Sequence, residues 1–358
     1  MSDAKSETRI HADSLIDAGA ATLTTAGCTA AEARTVVSAL VEANLFGHDS
    51  HGIGMLPLYI ENLLAGRARA GQSARITSDH GTLVGIDGQR GFGQVVGAQA
   101  MDIAIERAKA HGVCIAGLSN AHHLARIGRW AEQCAAAGLA SVHFVNVVSK
   151  PLVAPWGGSD ARLSTDPFCV GVPHAPHPII LDYATSMVAM GKVRVAFEAE
   201  VPMAEGLLLD KHGHPTRDPG VMFDSAIGAL LPFGQHKGFA LSVMCEILGG
   251  ALSGGQVQDR HHDPAPLINN MLSIVFVPDR LVSREALAAQ IQQLAAWLRA
   301  SPPRAGGTGV YLPGEPERVT ARERGQKGIP LSPGTRDALR ACARRVDATS
   351  FDRLFGDP

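Results

Sequence analysis

Residues Thr82–Val147 read TLVGIDGQRGFGQVVGAQAMDIAIERAKAHGVCIAGLSNAHHLARIGRWAEQCAAAGLASVHFVNV, and their pattern decides the fold class. Thr82 to Ile86 is a short apolar run of strand character, a glycine-bearing turn follows, and Val95 to His111 carries a helical stretch. Val113 to Leu118 reads as a second strand, His122 to Ala137 as a helix, and Leu139 to Val147 as a third strand, with β-branched and aromatic residues in bounded runs. Strand alternating with helix predicts an α/β protein.

Towards the N-terminus, Thr29-Ala30-Ala31-Glu32 has the spacing of a capping box, and Val36, Val37, Leu40, Val41 and Leu45 recur at helical spacing until Gly47 ends the run. The segment His48-Asp49-Ser50-His51-Gly52 therefore lies just past a helix C-terminus, on a loop held by a rigid element. Towards the C-terminus, a Pro- and Gly-rich stretch from Lys150 to Pro176 contains one short strand, Phe168 to Val172. Pro178 to Asp182 reads as a buried strand ending in a carboxylate. Val195 to Gly234 is a long excursion with turns. Lys237 to Leu252 is apolar on nearly every face and is predicted to be a buried helix. Met271 to Val277 is a further strand, Ser283 caps a helix to Leu298, and two Arg-rich helices, Glu317 to Gln326 and Gly334 to Arg345, are expected to face solvent.

The chain has 358 residues, 46% hydrophobic and 18% charged, enough for one large or two ordinary domains with real cores. A formal charge of -2 favours neither nucleic acid nor an anionic membrane as the main partner, so small molecules or protein subunits are expected instead. The six cysteines are scattered without metal-ligand spacing and read as buried free thiols of a reducing compartment. No apolar window reaches the roughly 18–20 residues of a membrane span, and Met1 to Thr8 is not a signal peptide. The expected location is the cytoplasm.

Several groups invite a chemical reading. His48, Asp49, Ser50 and His51 crowd four polar side chains into one loop; it reads as a surface loop or as an acid–base centre, because histidine titrates near neutral pH and a neighbouring hydroxyl can fix its tautomer. His122-His123 opens the helix that also carries Arg126, placing a His and an Arg on one helix face, either as a solvated helix start or as a grip for a carboxylate. Asp182 stands at a strand end, where α/β folds place ligands. His236-Lys237-Gly238 begins a helix, where a cation suggests an anion to neutralise. Gly91-Phe92-Gly93-Gln94-Val95-Val96-Gly97 imitates a dinucleotide phosphate loop, but no acid ends the next strand, so a tight turn with close helix packing is the preferred reading. His261-His262-Asp263 reads as loop surface, and no metal site is expected.

Together and in this order, HDSHG at 48–52, HH-x-x-R-I-G at 122–128, STDPF at 164–168, LDYATS at 181–186, PFGQHKG at 232–238, EILGGALSGG at 246–255 and LPGE at 312–315 resemble the malate/L-lactate dehydrogenase family of the second type. That family is unrelated to the Rossmann-fold lactate dehydrogenases, and the resemblance runs from about residue 10 to about 345.

The resemblance implies a non-Rossmann NAD(P)-binding sheet domain over residues 125–304, and a second mixed α/β domain formed by residues 1–124 with 305–358. It implies interconversion of a 2-oxo acid and a 2-hydroxy acid by hydride transfer, with a cyclic ketimine reductase of the same fold as the alternative; the His48/His51 and His122/His123 pairs offer a metal-dependent hydrolase as the distant one. His51 matches the proton donor and acceptor; Ser50 and Asp182 match the groups that orient it. Ala125, Arg126, Ile127, Thr165, Asp166, Asp182, Tyr183, Ala184, Thr185, His236, Lys237, Gly238, Gly314 and Glu315 match positions lining the cofactor cleft. His123 and Arg126 are the expected substrate contacts, and a homodimer is expected. Two departures stand out. Met55 occupies a position where many relatives carry the Arg that holds the substrate carboxylate, so Arg126 is expected to supply that cation. Asp166 replaces the usual Asn, and its charge is expected to disfavour a nearby phosphate and so to favour NAD over NADP.

Overall fold

The computed structural model describes residues 8–223, 228–259 and 267–356. In chain order the strands are β1 (Thr8–Ile10), β2 (Arg75–Asp79), β3 (Leu83–Asp87), β4 (Val113–His122), β5 (Ala140–Val148), β6 (Phe168–Val172), β7 (Ile179–Tyr183), β8 (Leu208–Leu209), β9 (Pro215–Thr216), β10 (Ala229–Leu230), β11 (Ile268–Phe276) and β12 (Ile329–Leu331). The helices are α1 (Ala12–Thr25), α2 (Ala30–Leu45), α3 (Leu56–Leu64), α4 (Gly93–His111), α5 (Gly128–Ala136), α6 (Met190–Glu198), α7 (His236–Met244), α8 (Arg284–Arg299), α9 (Glu315–Lys327), α10 (Pro333–Arg344) and α11 (Ser350–Phe355).

Seven strands form one sheet in the order β2-β3-β4-β11-β5-β6-β7. Only β3 and β4 run parallel; every other neighbouring pair is antiparallel. Long apolar strands at the centre of a sheet are covered on both faces, and β4, β5 and β11 fit that rule. Val84, Ile86, Met101, Cys114, Trp130, Val145, Met271 and Val275 share one core between the sheet and α4 and α5. A second core joins chain ends far apart in sequence: Leu15, Leu40, Tyr59 and Ile60 pack with Leu339 and Phe351, and β1 pairs with β12. Met55 packs against this helical core. Among the described residues, no helix is long and apolar enough to cross a membrane.

Thr29 caps α2 by accepting from the Glu32 amide, and Ser283 caps α8 by accepting from Ala286, as the sequence predicts. The glycine-bearing segment at 91–97 is a packing device. A Cβ on Gly93 would stand 2.3 Å from the His123 carbonyl oxygen, and one on Gly97 would stand 2.9 Å from the Trp130 ring. The N-terminus of α4 is thus closed by the backbone of residues 122–123.

Some expectations are corrected. His122 and His123 do not open a helix. β4 continues to His122, paired with Ile268 of β11, and the chain then turns through Ala125 at φ +59° before α5 begins at Gly128. The helical stretch after Lys237 is not buried on all sides: α7 passes into a π-helix, Cys245–Ala251, which turns Met244, Ile247 and Leu252 to the surface. Asp182 does stand near the end of a strand, β7, which is the antiparallel edge of the sheet. Of the two Arg-rich C-terminal helices, α9 buries no residue, but α10 buries Leu339, Cys342 and Ala343. The His261–Asp263 cluster lies outside the described residues.

Candidate active site

The segment after α2 folds as a single 3-10 turn, Asp49–His51. Its shape follows from Asn44, buried in the last turn of α2. The Asn44 amide donates to Asp49 Oδ1 at 2.6 Å, and its carbonyl oxygen accepts from the Ile53 N–H at 2.7 Å. Only glycine fits at 52, because a Cβ there would stand 2.3 Å from the Asn44 side chain. The turn presents His51 half-buried, with Ser50 Oγ 2.9 Å from its Nδ1. The start of α6 rests on Ser50, since a Cβ on Gly191 would lie 2.7 Å from Ser50 Cβ. Burial pulls His51 down to about 4; Asp182 opposes that pull, while His48 and Arg126 reinforce it.

The end of β4 brings His123 against this turn, its ring stacked on His51. Tyr59 on α3 holds His123 from behind, with its hydroxyl 2.8 Å from Nδ1, and the Gln94 amide donates to the same hydroxyl at 2.7 Å. The phenol oxygen accepts from Gln94, and its proton, given to His123 Nδ1 at 2.8 Å rather than to the His123 carbonyl at 3.4 Å, would leave the imidazole proton on Nε2. Burial, with His51 and His122 alongside, holds His123 well below the usual histidine range, so it is a neutral donor. His122 meets Asn62 at 3.0 Å and packs edge-on against the Tyr59 ring. Among the described residues, no three His, Cys, Asp or Glu side chains are grouped to hold a metal ion.

Arg126 is buried in the wall beside His51. Its two Nη atoms donate to both oxygens of Glu132 on α5, at 3.1 and 2.5 Å, and its guanidinium lies 4.4 Å over the Phe46 ring. The expected carboxylate fork is therefore already filled by an internal carboxylate. Asp182 accepts from the Gly128 N–H at 2.7 Å, and a Cβ on Gly128 would crowd both Arg126 Nη1 and Asp182 Oδ2.

Several of the expected cofactor positions lie along β7 and the loop that follows it. Thr185 N–H and Oγ1 both donate to the Thr165 carbonyl, and Phe233 N–H donates to the Thr185 carbonyl. The 312–315 segment joins them through Ile180 N–H and the Pro313 carbonyl at 3.3 Å. Gly314 closes the same wall at φ +88°, its Cβ position 3.4 Å from Ile180 N. Gln235 precedes α7 at φ +61°, and His236 and Lys237 stand exposed at that helix N-terminus. Ala125, Asp166 and Gln235 all take positive φ, a conformation costly for residues with a Cβ and frequent at ligand clamps. These loops, with the exposed Lys237 ammonium at a helix N-terminus, suit a ligand carrying phosphate.

Asp166 itself does not face such a ligand. It is fully buried, accepts from Ser242 Oγ at 2.6 Å and from the Val147 N–H, and lies against Glu246. Burial first, and then the neighbouring Glu246, push its carboxyl well above the usual range. Turned inward against Ser242 and Glu246, its carboxyl carries no argument for NAD over NADP.

Tyr59, Gln94, Phe46 and Glu132 were absent from the sequence-based site. The first two sit within apolar helical patterns and the last within a charged helix face, where composition carries no signal of a shared partner. Arg194 on α6 was likewise missed; its Nη2 lies 4.0 Å from the Cβ position of Gly54.

Comparison with known proteins places this geometry. Residues 10–340 match the malate/L-lactate dehydrogenase family. The chain is 46% identical over 319 residues to hydroxycarboxylate dehydrogenase B of Escherichia coli K12, covering 88% of each. Among solved structures it superposes on a malate/lactate dehydrogenase candidate from E. coli with a TM-score of 0.93 and 43% identity, covering 97% of this chain and 98% of the other. It superposes on the delta1-piperideine-2-carboxylate reductase from Pseudomonas syringae with a TM-score of 0.80 and 28% identity, covering 94% and 99%. The chain belongs to the malate/L-lactate dehydrogenase family.

Proposed function

We propose that this protein interconverts a 2-oxo acid and a 2-hydroxy acid, with His51 moving the proton at the substrate oxygen. The observation that carries this reading is the convergence of Ser50, His123 and Asp182 on His51. The family's dehydrogenases use a nicotinamide cofactor, which supplies or accepts the hydride when bound. The residues to hold it are Ala125 to Ile127, Thr165, Asp182 to Thr185, His236 to Gly238, and Gly314 with Glu315.

In the oxidising direction, neutral His51 takes the hydroxyl proton on Nε2 while its Nδ1–H donates to Ser50 Oγ. In the reducing direction, the imidazolium returns that proton to the carbonyl oxygen. A half-buried imidazole depressed to about 4 is in its base form at neutral pH, and an anionic substrate beside it raises its proton affinity. His123, held neutral with its proton on Nε2, donates a hydrogen bond to the oxygen that gains charge in reduction. Asp182 stabilises the charged form of His51. Arg126 supplies the positive wall for the substrate carboxylate, with Glu132 exchanged for the substrate as it binds.

NADH and NADPH oxidation assayed in parallel against aliphatic and aromatic 2-oxo acids tests this reading. Turnover of a 2-oxo acid that is lost in His51→Ala is expected; no turnover with any acid or either cofactor overturns it. The resemblance to the piperideine-carboxylate reductase supports a second reading, a cyclic ketimine as substrate. It requires the ketimine to be reduced faster than every oxo acid in the same assay.

The division into residues 125–304 and 1–124 with 305–358 is carried forward as part of the proposal, as is a homodimer. Met244, Ile247 and Leu252 on one side of the α7 segment, and Leu294 and Trp297 on α8, are exposed apolar groups that support association. Sedimentation velocity is expected to give twice the chain mass; a concentration-independent monomer rejects the dimer.

A further inference from the structure

Helix α9 touches both halves of the catalytic machinery. At its N-terminal end, Arg318 Nη1 donates to the Pro178 carbonyl at 3.2 Å, and the Cβ position of Gly314 lies 3.4 Å from Ile180 N, so this end is seated on the strand that carries Asp182. Farther along, Glu317, Thr320 and Arg324 share one face at helical spacing. Glu317 Oε1 is 3.8 Å from His48 Nε2, and Thr320 Cγ2 would lie 3.2 Å from a Cβ on Gly47. Arg324 then grips the turn: Nη1 donates to the Asn44 carbonyl at 2.5 Å and to Asp49 Oδ1 at 2.6 Å, and Nη2 donates to Asp49 Oδ2 at 2.9 Å. Asp49 Oδ1 also accepts from the Asn44 amide that shapes the turn. A bidentate pair of this kind fixes direction as well as distance. None of these residues touches the reacting atoms.

We propose that Arg324 is a positioning residue: through Asp49 and Asn44, α9 acts as a strap that sets the turn carrying His51 against the strand carrying Asp182.

The inference rests on His51 being the proton-transferring group. Arg324→Met and Asp49→Asn remove the grip from either side, and thermal melts and circular dichroism establish that each variant is folded. Each is expected to lower kcat about tenfold or more, since an error near 1 Å in a reacting group costs up to about a hundredfold. The KM for the nicotinamide cofactor should stay within twofold of wild type, and the double variant should lose no more than the worse single variant. The His51 titration, followed by proton NMR of its Cε1–H, should move upward as the loosened ring gains water while Ser50, His123, Asp182, His48 and Arg126 still surround it. Unchanged kcat in a folded single variant, additive losses in the double variant, or an unmoved His51 titration overturns the strap. Because the titration needs no turnover, failure of the strap and failure of the proposed reaction are separable. Should Arg324→Met not fold, Arg324→Lys, which keeps the charge but not the fork, carries the same expectations.

Discussion

The imidazole of His51 lies over that of His123, with ring centroids 5.5 Å apart and planes inclined by 21°. Two histidines at this separation do not both hold a proton charge at little cost, and the structure resolves the competition by burying His123 as a neutral donor. In the proposed reaction His51 keeps the proton-transfer role.

The first prediction follows from that division. A group depressed by burial is deprotonated above its lowered value, so hydroxy-acid oxidation should hold its kcat/KM from neutral pH downward and lose it only as pH falls through about 4. The acidic limb of kcat/KM against pH checks this. A limb near the ordinary histidine value would remove the argument that His51 is desolvated in the free enzyme. His51→Ala should lower kcat by about three orders of magnitude or more with cofactor affinity unchanged.

Tyr59 is expected to act through His123. Tyr59→Phe keeps the packing of the buried ring but leaves Gln94 Nε2 and His123 Nδ1 without their shared partner. The cost of two unpaired buried groups is about 1–3 kcal/mol each, so thermal stability should drop. The His123 proton is then free to move to Nδ1, and kcat for oxo-acid reduction should fall about tenfold with cofactor KM unchanged. Steady-state kinetics with the melt in hand separates the two effects.

Arg126 offers a sharper choice. If the guanidinium exchanges Glu132 for the substrate carboxylate, Arg126→Met raises KM for oxo acids about a hundredfold, the scale of a lost charged hydrogen-bond pair. Glu132→Gln, which weakens the internal competitor, should then lower that KM. An unchanged KM in Arg126→Met, with only stability reduced, would confine Arg126 to clamping Phe46 to α5.

Asp166 predicts a pH-dependent gain. Its folded carboxyl ionises well above the usual range, so the folded state holds a proton that the unfolded chain releases, and the associated stability is lost as pH rises from the ordinary carboxylate value towards the raised one. Asp166→Asn removes that liability while its amide still meets Val147 N–H, Ser242 and Glu246. Its thermal midpoint should exceed wild type by a margin that grows from about pH 4 upward. A margin independent of pH would show that the carboxyl is not holding a proton.

Much of the site was legible because its elements are local. The Thr29 cap, the Gly47 stop and the polar loop after it depend on residues a few positions apart, and the motifs in order identified the family before any contact was known. Ser50 beside His51 is adjacent in sequence and needed no fold to be seen.

The remainder depended on pairings across the chain. Residues 122–127 have helical composition, but β4 is drawn out to His122 by a partner strand nearly 150 residues away, and the Asn269 side chain holds the Leu124 N–H. Asp166 reads as a charged loop residue until Ser242 and Glu246 enclose it, and Arg126 reads as a free cation until α5 turns Glu132 onto it. Arg324 reads as solvent-facing until α9 lies along the catalytic turn. Local spacing by itself determined most of the elements, and the order of the motifs singled out His51 as the candidate for proton transfer. Tertiary structure decided which charges are free, because burial and hydrogen-bond partners belong to contacts between segments that the chain order keeps far apart.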